Sequence, residues 1–144
     1  MYAFEITCYG HPNVTASHRT TWELTKENHL TPKGDCIIGI NASSSPLELP
    51  KILKQHLQSG GEIKIVLEIE GEVFEGWAFG HPDLLLSHPK EMVFRTSDFV
   101  SERTVAIKCS FAAKDIPREM VELMKDPSTQ MVVRLSWKPM DVSA

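Results

Sequence analysis

The chain has 144 residues, 42% of them hydrophobic and 24% charged, with 15 basic and 19 acidic side chains for a formal net charge of −4. This is the profile of a single globular domain large enough to bury a core. Six cations and eight acids fall in residues 1–70, nine and eleven in 71–144, so each half carries −2 and no basic run exists; a broad nucleic-acid surface is excluded, while a local basic pocket stays compatible.

In chain order, Tyr2–Tyr9 alternates apolar and polar residues, the pattern of a half-buried strand. A Gly-His-Pro loop follows, and residues 19–25 are β-branched and aromatic, which predicts a second strand. Thr31-Pro32-Lys33-Gly34 is a turn, and residues 36–42 a short apolar strand. Leu49, Ile52, Leu53 and Leu57 recur at helical spacing, so a helix is expected over 47–57, ended by Gly60-Gly61. The clearest strand covers 62–70, and Gly71 turns it into Glu72–Phe79. A second Gly-His-Pro loop leads to a strand over 91–96, and residues 104–111 alternate as another. Asp115 is placed to cap a helix with Pro117 in its first turn, running to Lys125 before Asp126-Pro127 stops it. Gln130–Trp137 alternates as the last strand.

This order says the same thing twice. Residues 10–18 and 80–88 share Gly10/Gly80, His11/His81, Pro12/Pro82, Ser17/Ser87 and His18/His88 at one offset of 70. The later elements match at 67 and 68. The chain therefore reads as one domain, 1–144, of two related halves, approximately 1–70 and 71–144. The expected fold is α+β and mainly β, a sandwich or partly closed barrel built around a pseudo-two-fold axis.

No apolar run approaches 18 residues, so no membrane span is expected, and the first residues lack the charged and apolar regions of a secretory signal. Cys8, Cys36 and Cys109 are odd in number and widely spaced, as in a reduced, cytoplasmic protein.

Polar residues concentrate around the first Gly-His-Pro loop: His11, Asn13, His18, Arg19, Thr20, Thr21, Glu23, Asp35 and Cys36. Arg95 and Arg103, beside hydroxyls in the second half, can hold a phosphate or carboxylate, or make salt bridges to Asp98 or Glu102. The leading reading is a pocket near the loops, formed by His11, Asn13, His18, Arg19, Thr20, Thr21, Arg95 and Arg103. It would bind a small polar or anionic ligand: a nucleotide, a phosphate or a local RNA feature. The rival is a hydrolase or transferase using His11 or His18 as base with Asp35 orienting it. The third is a structural or interaction module whose polar cluster caps the fold.

Because both copies keep them, His11 and His81 also read as turn-stabilising residues. Cys36 opens an apolar stretch and reads as an inert thiol, and Trp22, Trp77 and Trp137 read as core. No cofactor is predicted. A His-bound metal is the minor alternative, since His-x6-His lies outside the usual zinc spacing. The residues do not fix the oligomeric state.

Four stretches carry a family resemblance: Tyr9-Gly-His-Pro-Asn-Val, Ser17-His-Arg-Thr-Thr, Leu30-Thr-Pro-Lys-Gly-Asp-Cys-Ile-Ile-Gly, and Phe94-Arg-Thr-Ser-Asp-Phe with Arg103-Thr. Together they resemble the archaeal domain of unknown function 371, over nearly the whole chain. The resemblance implies a small, mainly β fold with a few helices, in an archaeal-type cytoplasmic protein. It implies no activity and no catalytic residue. Where the family pattern has Arg-Lys-Ser, this chain has Arg95-Thr96-Ser97, which removes a cation from any anion site there.

Overall fold

The structure is a computed structural model describing residues 1–139. Eight strands form two four-stranded sheets. The strands are β1 (Tyr2–Tyr9), β2 (Thr21–Thr25), β3 (Ile37–Gly39), β4 (Glu62–Ile69), β5 (Glu72–Phe79), β6 (Glu91–Arg95), β7 (Thr104–Ala106) and β8 (Gln130–Trp137). Two short helices complete the fold, α1 (Lys51–Gln58) and α2 (Arg118–Leu123), each preceded by one 3-10 turn. The fold is mainly β, and the ladders do not close into a barrel.

The first sheet is antiparallel throughout, in the order β1-β8-β4-β5. Its alternating sequences bury Ile6, Cys8, Ile63, Ile65, Leu67, Met131, Val133 and Leu135, leaving the other face open. The second sheet runs β3-β2-β6-β7. Its central pair is antiparallel, and each outer strand lies parallel to its neighbour. Trp22 and Phe94, neighbours across the central pair, stack with ring centroids 3.9 Å apart. Both sheets feed one apolar cluster. Single bridges also join their edges, Tyr9 with Ile40 and Phe79 with Ile107.

Glycine is required where the Gly-His-Pro loops meet the helices. A β-carbon on Gly10 would collide with the carbonyls of Met124 and Asp126 at the end of α2, and one on Gly80 with that of Leu57 at the end of α1. Backbone bonds fix these approaches: the His11 N–H donates to Met124 O at 2.8 Å and the Gly80 N–H to Gly61 O at 2.8 Å. Further along the loops, Ala16 and Leu86 both take left-handed φ, 46° and 50°.

Several expectations are corrected. The helix expected over 47–57 is broken, because Pro50 and the extended Leu49 separate the 3-10 turn Pro46–Glu48 from α1. Asp115 does not cap α2. It ends the turn Ala113–Asp115, where its carboxylate accepts the Ala112 N–H, and Pro117 starts the helix. The alternation over 104–111 yields only three strand residues, since Lys108 adopts φ 49° and turns the chain away. Trp77 is 53% exposed, not core: it lies opposite Lys64 on the open face of the first sheet.

Candidate functional site

In β2, Trp22 and Leu24 point into the core, so Thr21, Glu23 and Thr25 take the opposite face. The same alternation in β6 sends Met92 and Phe94 inward and Glu91, Val93 and Arg95 outward. Antiparallel register sets Glu23 opposite Val93, Glu91 opposite Thr25 and Arg95 opposite Thr21. Glu23 is thus diagonal to Glu91, within reach of a longer side chain.

The connections over 26–36 and 96–103 flank this face, and Glu23 keeps only 4% of its side-chain surface. Burial, then the hydrogen bond and charge of the neighbouring Glu91 carboxyl, push its pKa up to about 8, against the opposing pull of Arg103. Burial and the neighbouring Glu91 carboxyl thus favour the neutral form of Glu23. Arg103 Nη1 lies 3.1 Å from Glu91 Oε2 and 3.7 Å from Glu23 Oε1. The Cys36 Sγ donates to Glu23 Oε1 at 3.8 Å, and burial with the Glu23 and Asp35 charges pushes its pKa up to about 12. The thiol is therefore not a nucleophile at neutral pH.

Beside this group, Arg95 donates to Thr104 Oγ1 at 3.0 Å and Ser101 Oγ at 3.2 Å, and its guanidinium lies 4.9 Å from the centroid of the Phe99 ring. Burial and the nearby Arg103 charge lower its pKa. Two adjoining clefts open at the Thr25–Glu91 end of the strand pair. One, of about 600 Å³, is lined by Lys26, Asn28, His29, Asn41 and Lys90. The other, of about 180 Å³, shares Glu27 and His29 with it and reaches Thr25, Ile37 and Glu91.

The loop residues behave differently. His11 Nδ1 accepts the Asn13 N–H at 3.0 Å, and His81 Nδ1 accepts the Asp83 N–H at 2.9 Å. His18 Nδ1 accepts the Thr20 N–H at 3.2 Å, and His88 Nδ1 the Glu91 N–H at 2.9 Å. Each imidazole thus uses one nitrogen to close its own turn, which fixes the neutral ring as the Nε2–H tautomer. An orienting carboxylate must instead accept a ring N–H. Among the described residues no hydrogen bond joins the Asp35 carboxylate to either histidine. Asp35 serves through its backbone oxygen, which accepts the Ser17 and His18 N–H groups.

Asn13 Nδ2 donates to Leu30 O at 2.8 Å, pinning the loop beside the smaller cleft. Arg19 and Thr20 are exposed, and Thr21 is buried beside Thr20, its hydroxyl 3.2 Å away. Arg103 engages Glu91 and Glu23 rather than Asp98 or Glu102. Among the described residues, no group of three or more His, Cys, Asp or Glu side chains is arranged to hold a metal.

The sequence reading named Glu23 only within a broad cluster and gave Glu91 no role. The available signal was Thr-Trp-Glu-Leu-Thr, a strand pattern that puts a carboxylate on the face opposite a tryptophan.

The model for the domain of unknown function DUF371 matches residues 6–138. The chain belongs to this family. It is 43% identical over 123 residues to the uncharacterised protein MJ0206 of Methanocaldococcus jannaschii, an alignment spanning 85% of this chain and 91% of that protein. Neither comparison carries an activity, so the geometry has to supply the functional reading.

Proposed function

We propose that this DUF371 protein binds a small anionic ligand over the outward face of the β2–β6 pair, with Arg103 and Arg95 as cationic contacts there and Lys90 in the adjoining cleft. The observation that carries this reading is the buried Glu23 carboxyl beside Arg103, which also pairs with Glu91. Burial favours the neutral form of Glu23, which leaves the Arg103 guanidinium less fully countered, and the Arg95 guanidinium nearby is held by the hydroxyls of Thr104 and Ser101. The larger cleft, at about 600 Å³, has the volume of an ordinary small-molecule site. Phosphates and nucleotides match its chemistry, as does an exposed phosphate of RNA. His11, Asn13 and His18 hold the loops, Asn13 through Leu30 of the smaller cleft, and Thr21 lies across from Arg95.

Thermal-shift titration with phosphate, pyrophosphate, nucleotides and short RNAs tests this. The expected result is a concentration-dependent rise in Tm with at least one of them, reduced in Lys90→Gln and lost in Arg103→Gln. No rise at millimolar concentrations would overturn the proposal and favour the structural or interaction reading.

One observation also favours an enzyme. A carboxyl and a carboxylate sharing a proton form an acid–base pair of the kind hydrolases use. In that reading Glu23 and Glu91 take the place of a His/Asp pair. Glu91→Gln would then abolish turnover of the bound ligand while leaving its thermal stabilisation.

We also read the chain as a single domain of two related halves about a pseudo-two-fold axis between β2 and β6. Support comes from the strand orders, which read alike from either edge, from the two edge bridges, and from the left-handed pairs Ala16/Leu86 and Asn41/Lys108. For location, Cys8 and Cys109 are buried free thiols, and no helix among the described residues is long and apolar enough to cross a membrane. The thiols favour a reducing, cytoplasmic setting.

A further inference from the structure

Phe99 lies in the connection 96–103 that flanks the outward face of β2 and β6. It is 59% exposed, while the next residue, Val100, packs against the core. Hydrogen bonds fix the connection on both sides of the ring. The Phe99 N–H donates to Ser97 Oγ at 3.3 Å, the Lys108 N–H to Ser97 O at 2.9 Å, and the Ser101 N–H to Thr104 Oγ1 at 2.9 Å. The fold thus holds the ring in water and forgoes the stabilisation that burying a phenylalanine brings.

One exposed apolar side chain means little alone. Phe99 is set apart by the cation against it. The Arg95 guanidinium lies over the ring, 4.9 Å from its centroid. Its Nε and Nη2 donate to Thr104 Oγ1 and Ser101 Oγ, so the cation is fixed before any ligand arrives. Arg95 covers one face of the ring, which leaves the opposite face open to a flat group. Among the described residues no hydrogen bond engages Arg95 Nη1, so its two N–H groups remain for an anion.

This pairing occurs in one half of the chain. Seventy positions earlier, Arg95 corresponds to Thr25 and Phe99 to His29. Both halves build the connection, so the connection itself does not require an arginine against an aromatic ring.

Resting on the anion-binding reading above, we propose that the ligand of this site is a nucleoside phosphate, its base stacked on the open face of Phe99 and its phosphate held by Arg95 and Arg103. Every base has a π-face, so such stacking is tolerant of base identity, and the guanidinium behind the ring adds a cation–π contribution. Inorganic phosphate would use the two cations and leave Phe99 without a partner. One aromatic contact therefore separates a nucleotide from a bare phosphate.

The test compares adenosine monophosphate with ribose phosphate, which keeps the sugar and the phosphate monoester but lacks the base. Each is titrated into the whole protein, unaltered and as Phe99→Ala, and amide NMR shifts give the affinities. Adenosine monophosphate should bind at least about fivefold more tightly, the low end for stacking one base on an aromatic side chain, and it alone should shift the Phe99 ring signals. Phe99→Ala, at an exposed position, should bring adenosine monophosphate down to ribose phosphate and leave ribose phosphate unchanged. Phe99→Trp should keep or raise the preference. Equal affinities in the unaltered protein, or a preference for the nucleotide that survives in Phe99→Ala, would overturn the nucleotide assignment while the anion-binding reading stands. A parallel loss of ribose phosphate binding in Phe99→Ala would also overturn it, as the mark of a ring that only orders its loop. No binding of either compound would overturn both readings.

Discussion

Residues 10–18 and 80–88 share their glycine, both histidines, proline and serine, and their histidines make the same turn contacts, whereas the outward faces of β2 and β6 differ at every matched position. In the loops, each histidine closes its own turn through Nδ1, and each leading glycine abuts the carbonyl end of a helix. On the strands, Thr21, Glu23 and Thr25 correspond to Glu91, Val93 and Arg95, and just before the parallel edge strands Cys36 corresponds to Arg103. Sameness marks what the fold needs twice. Difference marks where two equivalent surfaces meet and only one composite site is built. The proposed site therefore draws on both halves, not on the first copy alone.

The largest test of this contrast is steric. Gly10→Ala and Gly80→Ala each force a methyl group into helix-end backbone, and each should cost about 3 kcal/mol in denaturant unfolding. Near-equal costs support equivalent roles, while a neutral result at either glycine would break the comparison.

The next effect depends on pH. The folded-state pKa of Glu23 lies above its unfolded value of 4.5, so the folded protein holds the extra proton between pH 4.5 and about 8. Its stabilising contribution is full below the lower value and is lost as pH rises through the upper one. Glu23→Gln, which mimics the neutral acid, should gain stability relative to the unaltered protein between pH 5 and pH 9, by roughly 1–3 kcal/mol. Urea unfolding at both pH values checks this, and a pH-independent difference would mean that Glu23 is ionised.

A smaller effect is expected at the loop histidines. His11→Ala and His81→Ala each leave a backbone N–H without its side-chain acceptor, at a cost of about 1 kcal/mol and alike in the two copies. The smallest belongs to the open face of the first sheet. Two N–H groups of Arg134 converge on the single Oε2 of Glu5 at an exposed site, so Glu5→Gln should change stability by less than about 1 kcal/mol.

The long strands were legible because alternation survives wherever one face of a sheet is open. Tyr2–Tyr9, Glu72–Phe79 and Gln130–Trp137 match the structure residue for residue. Where local pattern and backbone disagreed, the backbone prevailed: Pro50 interrupted the expected helix, and the left-handed Lys108 cut short the alternation after Thr104. His11 and His81 were legible as turn-stabilising residues because both loops keep them, whereas the same role of His18 and His88 was not foreseen. The Glu23–Glu91 pair was not, because two carboxylates 68 positions apart meet only once β2 and β6 pair in a particular register. Nor was the exposure of Trp77, since alternation cannot say which face of a strand is covered.

The placement of β1 has a consequence for how the protein is made. Among the described residues its only ladder partner is β8, so apart from the single Tyr9–Ile40 bridge its residues wait for Gln130–Trp137 before their neighbours exist. During synthesis the alternating segment Tyr2–Tyr9 leaves the ribosome well before it can be paired. Closing so long a loop is slow compared with forming the β4–β5 hairpin. The hairpin should therefore assemble early and β1 dock last, so that a nascent chain stalled before β8 would carry an unpaired, half-apolar strand open to chaperones or to other chains.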